Sequence, residues 1–162
     1  MNTVQALIAE ALNGARAAAI LGCGSELMGD DAAGTLIAGR LSYFSECVRV
    51  FCGGTAPENF TGEIKKFLPD TLLIIDAAEL SLPPGEVSLI PLDKIGGVSF
   101  STHMLPLTIM LDYLHREIGC RTYLLGIQGA CYEFGAEMSS EVKASVEMII
   151  SALSSLLPSE MM

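Results

Sequence analysis

An apolar run from Ala17 to Leu21 ends in the turn Gly22-Cys23-Gly24-Ser25-Glu26-Leu27-Met28-Gly29, which closes on the acids Asp30 and Asp31 before an apolar helical pattern begins. An apolar strand, a glycine-rich turn and a helix, in that order, describe a unit of an α/β fold. In open α/β sheets, ligands bind in the crevice outside the carboxyl ends of the strands, so this turn stands where chemistry is expected. Two further stretches place comparable groups, Leu72-Leu73-Ile74-Ile75-Asp76-Ala77 and Ser101-Thr102-His103-Met104-Leu105-Pro106.

The remaining pattern fits one domain of α/β class. Val4, Leu7, Ile8, Ala11 and Leu12 recur at helical spacing and predict a short amphipathic helix ahead of the first strand, residues 17–22. A helix is expected over 31–44, with Asp30 or Asp31 at its N-cap, followed by a strand over 47–52 that ends in Gly53-Gly54. After the loop 55–59 and a short helix to Phe67, the continuous apolar run 72–75 predicts a central strand covered on both faces. The strand at 86–90 follows too closely for a parallel crossover, and Pro83, Pro84 and Pro91 flank it, so it is read as an antiparallel edge. Residues 93–100 read as a loop. Thr102 is expected to cap a helix over 103–117, with Pro106 in its first turn. A strand over 122–127, a loop over 128–138 and a helix over 140–157 complete the chain.

Composition removes several functional classes. The chain has 162 residues, 51% of them hydrophobic and 17% charged, with a net charge of −10. That balance argues against nucleic acid and anionic membrane surfaces, whose phosphates need clustered Lys and Arg. It admits a basic or metal-carrying partner. No apolar stretch is long and uninterrupted enough to span a membrane. Ile20-Leu21-Gly22-Cys23 resembles a lipoprotein cleavage site only superficially, because Glu10 and Arg16 precede it where a leader needs an unbroken apolar core. The odd set Cys23, Cys47, Cys52, Cys120 and Cys131 contains no Cys-x-x-Cys pair, so free thiols and a cytoplasmic location are expected.

Asp31, Asp76 and His103 fall on separate segments at or beyond strand ends. Singly, each has an ordinary structural reading: a helix-start acid, a strand stop, a first-turn residue. Together, two carboxylates and an imidazole form an incomplete N/O coordination shell that suits Ni, Zn, Co or Mn, with positions left open for substrate or water. Other chemistries lack their residues. The glycines are not spaced as Gly-x-Gly-x-x-Gly, and no Gly-Lys-Ser/Thr is present. Ser25 and Ser101 have no nucleophile-elbow pattern, and no base is placed beside Cys23 or Cys52. His115 is read as structural or solvent-facing. Glycines at 22–29 and 53–54 are expected to let backbone approach a ligand closely.

At these residues the chain resembles the hydrogenase maturation endopeptidases. The resemblance rests on Gly22-Cys23-Gly24-Ser25-Glu26-Leu27-Met28-Gly29-Asp30-Asp31-Ala32-Ala33-Gly34, Gly53-Gly54-Thr55-Ala56-Pro57-Glu58-Asn59, Ile75-Asp76-Ala77, Thr102-His103-Met104-Leu105-Pro106-Leu107 and Leu125-Gly126-Ile127-Gln128 leading into Glu133-Phe134-Gly135. The Gly-Asp-Asp and Gly-Gly-Thr-Ala-Pro-Glu-Asn forms look most like the subgroup serving formate-hydrogenlyase-type hydrogenases. The resemblance implies a single three-layer α/β domain over 1–162, from whose pattern the amino-terminal helix, within 1–16, departs as an extension. Its sheet would be mixed, mostly parallel and five-stranded, with helices on both faces. It also implies an aspartyl-type endopeptidase that removes the carboxy-terminal extension of a [NiFe]-hydrogenase large-subunit precursor after nickel insertion. Asp31, rather than Asp30, would join Asp76 and His103 as the catalytic and metal-binding residues, with nickel supplied in the precursor and another divalent metal able to take the same site. Departures stand at Ser25, where the family usually has Asn, and at Gly129, where Pro is common. A different metal-dependent hydrolase, and a nickel or nucleotide carrier on the same fold, are the alternatives. With only two histidines, the chain has no His-rich storage tract.

Overall fold

The computed structural model describes residues 1–41, 45–95 and 104–157, with the backbone alone at 104–106. Asn2 caps the first helix, α1 (Thr3–Leu12), through a reciprocal box with Gln5. There follow β1 (Ala18–Cys23), a 3-10 turn (Gly29–Ala32), α2 (Ala33–Leu41), β2 (Val48–Gly54), a second 3-10 turn (Pro57–Phe60) and α3 (Thr61–Phe67). The second half comprises β3 (Thr71–Ala78), β4 (Val87–Pro91), α4 (Leu92–Ile95), α5 (Met104–Ile118), β5 (Arg121–Gln128) and α6 (Ser140–Leu156).

The five strands form one sheet in the order β2-β1-β3-β5-β4. β1, β2, β3 and β5 run parallel, and β4 pairs antiparallel with β5 at the edge, as its proline-flanked sequence predicts. Every residue of β1 and β3 is buried, which is why these strands read as unbroken apolar runs. Their alternating side chains feed two separate cores. Ile20, Leu73 and Ile75 pack with Ile8, Ile37, Val146 and Ile149, placing α1, α2 and α6 on one face. Leu21, Leu72 and Ile74 pack with Ile64, Leu107, Leu111 and Leu114, placing α3 and α5 on the other. Helices on both faces of a mixed, mostly parallel sheet give a single three-layer α/β domain.

Several boundaries differ from the sequence reading, each for a physical reason. The expected loop at 93–100 begins as helix α4, because Leu92 and Ile95 turn onto the α3–α5 core. Gly96 to Phe100 and the expected Thr102 cap lie outside the described residues. The helix expected from Asp31 starts as the 3-10 turn and becomes α-helical only at Ala33, and its expected last turn, 42–44, also lies outside the described residues. Neither Asp30 nor Asp31 is its N-cap. Both carboxylates are engaged elsewhere in the fold. β3 runs on past Ile75, so Asp76 is a strand residue rather than the first residue of a loop.

Candidate functional site

The strand order reverses direction between β1 and β3, and the β1–β3 pairing stops at Gly22↔Ile75. On its other side β3 stays paired with β5 as far as Ala78↔Gln128. Asp76 is therefore the first β3 residue without a partner on β1, at the mouth of the crevice where such sheets bind ligands. The turn carrying Asp31 folds over the same opening. It can do so because α2 enters on Gly34, where a Cβ would lie 2.1 Å from the Ile75 carbonyl oxygen and 2.4 Å from that of Cys23. Gly24 holds φ at +127°, and a Cβ there would strike the Asp31 carbonyl oxygen at 1.7 Å. The close approaches at Gly22, Gly24 and Gly34 are to the chain's own atoms, whereas Gly54 faces open space.

The adjacent acids Asp30 and Asp31 serve different ends. Asp30 is fully buried and holds down the segment after β5. Its carboxylate accepts hydrogen bonds from the Ala130, Cys131 and Ser139 backbone N–H groups at 2.7, 3.1 and 2.7 Å, and from the Ser139 hydroxyl. Asp31 is also buried, and its Oδ2 accepts from the Ser25 backbone N–H at 2.8 Å. The contact is made by main chain, so the Ser25 departure leaves this hydrogen bond intact.

Asp76 is fully buried, and neither of its carboxylate oxygens reaches a hydrogen-bonding partner among the described residues. Burial pushes its pKa well above the usual carboxylate range and the charge of Asp31 pushes it further, while the Ala77 backbone N–H opposes the shift without completing a hydrogen bond. The structure thus brings Asp31 and Asp76 within mutual electrostatic reach. An unpartnered buried carboxylate beside a second carboxylate is costly for a protein alone and well suited to a cation. His103, the expected third ligand, lies outside the described residues. Among those described, no three His, Cys, Asp or Glu side chains gather into a metal-binding group.

The neighbouring thiols do not supply a nucleophile. Burial raises the Cys23 thiol well above its ordinary range, and Asp76, Asp31, Glu58 and Cys52 add to the shift. Cys52 is raised by burial and by Glu26, and its thiol points at the Thr35 carbonyl, 3.6 Å away. Both therefore stay protonated. All five cysteines are free. His115 is exposed on α5, with Nδ1 3.4 Å from the Cys120 carbonyl oxygen. A cavity of about 640 Å³ that includes His115 opens at the start of β5, the opposite end of the sheet from the acids.

Gln128 has a part that spacing could not assign. Its Oε1 accepts from the Leu80 N–H at 2.7 Å, while Nε2 donates to Glu79 and to the Gly129 carbonyl, both at 3.0 Å. This buried amide fixes the turn that leaves β3 just beyond Asp76. Its partners Leu80 and Glu79 lie 48 and 49 residues away, so only the Leu-Gly-Ile-Gln motif marked the position at all.

Comparison with known proteins agrees with this architecture. The family model for HycI hydrogenase maturation proteases matches residues 38–156. The hydrogenase 3 maturation protease of Escherichia coli K12 is 36% identical over 136 residues, covering 83% of this chain and 86% of its own. The crystal structure of the [NiFe] hydrogenase maturation protease HycI from Thermococcus kodakarensis superposes with a TM-score of 0.79 at 29% identity, covering 91% of this chain and 99% of that one. A crystal structure of a hydrogenase 3 maturation protease gives a TM-score of 0.72 at 35% identity, covering 83% of this chain and 87% of that one. With sequence, fold and topology in agreement, this chain belongs to the hydrogenase maturation protease family.

Proposed function

We propose that this protein is an endopeptidase that removes the carboxy-terminal extension of a [NiFe]-hydrogenase large-subunit precursor once nickel has been inserted, and that it reads the nickel through Asp31, Asp76 and His103. The observation that carries the reading is the Asp76 carboxylate, buried beside Asp31 with neither oxygen hydrogen-bonded among the described residues. Nickel arrives as part of the substrate. Two carboxylates and an imidazole are a donor set it accepts, and other divalent ions could take the same place. In the free protein, burial and Asp31 favour a proton on Asp76; a cation would favour its loss, coupling recognition to the charge state of the site. Asp31 keeps its orientation through the Ser25 N–H. These residues would thereby seat the precursor's metal-bearing end with the scissile bond held against the crevice. We place the reaction in the cytoplasm, where five free thiols persist.

The variants Asp31→Ala and His103→Ala test the site. Each is expected to remain folded by circular dichroism and to lose processing of the nickel-loaded precursor by at least about a hundredfold, the scale of removing a group that acts on the reacting centre. Processing at the normal rate by both variants would remove these residues from the site.

A further inference from the structure

Two large apolar side chains stand exposed beside the crevice, and the fold holds both in place. Leu27, on the turn after β1, is 62% exposed, and Phe134, on the segment after β5, is 76% exposed. Their loops are tied directly, the Gly135 N–H donating to the Leu27 carbonyl at 2.8 Å. Asp30 reinforces the tie, since its buried carboxylate binds the Ala130, Cys131 and Ser139 N–H groups and its own N–H donates to the Cys131 carbonyl at 2.8 Å. A buried carboxylate anchoring two loops makes a stiff mount, and what that mount presents to solvent is a leucine and a phenylalanine. Exposed Glu26 and Glu133 adjoin them in sequence, and Glu137 is exposed on the same segment as Phe134. An apolar centre with a polar rim is the anatomy of a protein-binding surface. This one sits on the loops that leave the carboxyl ends of β1 and β5, the end of the sheet that carries Asp31 and Asp76.

Taking the proposed processing of a large-subunit precursor as its basis, we infer that Leu27 and Phe134 form an apolar docking surface that engages apolar side chains of that precursor next to the scissile segment and so set substrate affinity. The occupant is the protein substrate rather than a second copy of this chain, because a copy covering this turn would obstruct the crevice that the substrate must enter.

The test uses the full chain with Leu27→Ser and Phe134→Ser, singly and together, and the conservative changes Leu27→Met and Phe134→Leu. Thermal unfolding should show all of them folded, since neither native side chain is buried. Processing of nickel-loaded precursor is followed at varied precursor concentration, and precursor binding is titrated separately by calorimetry, so the docking claim is read even where cleavage is not seen. Each serine variant should raise KM and the dissociation constant about tenfold with kcat within about twofold, and the conservative variants should restore both constants, as expected for loss and recovery of one buried apolar contact. Unchanged KM and affinity in folded serine variants would overturn the inference. So would self-association of the parent chain that the serine variants abolish without altering precursor affinity. Absence of cleavage by the parent chain, with tight precursor binding that still weakens in the serine variants, would instead sink the protease reading and leave the docking surface standing.

Discussion

Three acids that look alike in the sequence have different fates. Asp30 is saturated by hydrogen bonds, Asp31 is oriented by one from the Ser25 N–H, and Asp76 is left with neither oxygen partnered among the described residues. Only the last arrangement carries a standing cost in the free protein. A carboxyl whose folded pKa lies above its unfolded value binds more protons folded than unfolded, so stability falls as pH rises from the ordinary carboxylate range through the raised folded value. Asp76→Asn removes that titration and keeps the shape. It is therefore expected to raise neutral-pH stability by about 1–2 kcal/mol, a few degrees in the thermal midpoint, to flatten the fall in stability above the acid range, and to abolish processing. A less stable Asp76→Asn protein would mean that the carboxylate is satisfied in the native state. The resemblance singled out Asp31 over Asp30, but the structural part that Asp30 plays was not legible beforehand, because its partner Ser139 lies 109 residues away.

At the scale of elements, the local signals carried most of the fold. The apolar runs of β1 and β3, the prolines around β4 and the helical spacing of α1 and α6 state their own burial, and the structure agrees at each. What local signals could not state was where elements overlap. β3 runs on past Ile75 because β5 stays paired with it after β1 has turned away, and that pairing is a property of the sheet. Residues 92–95 turn helical because the core accepts Leu92 and Ile95, a tertiary influence on a sequence that reads as loop. The contact between α2 and the strand ends is the most demanding of these junctions. Gly34→Ala puts a methyl group 2.1 Å from the Ile75 carbonyl oxygen, against backbone that cannot move without shifting Asp76. A loss of about 2–3 kcal/mol in urea unfolding is expected, with an unchanged denaturant slope. A Gly34→Ala variant as stable as the parent would show that α2 does not seat on β1 and β3 at this point.

For the whole molecule, one consequence of strand order organises the rest. Placing β1 between β2 and β3 creates a crevice at the carboxyl end of the sheet, and the turn after β1 and the end of β3 each send a buried acid into it. The crevice and the acid-bearing segments were legible from the order of strand, glycine turn and helix. The association of Asp31 with Asp76 was not, since sequence gives no distance between separate segments. His103 lies outside the described residues, and the His103→Ala variant tests its proposed place in the site. The central claim is that the protease acts on a precursor only when nickel is seated in it. The most direct measurement is to incubate the purified protein with a cognate [NiFe]-hydrogenase large-subunit precursor prepared with and without nickel, and to follow release of the carboxy-terminal fragment by mass. Release from the nickel-loaded form alone is the predicted result; release from both forms would keep the protease and contradict the nickel gate, and release from neither would contradict the account as a whole.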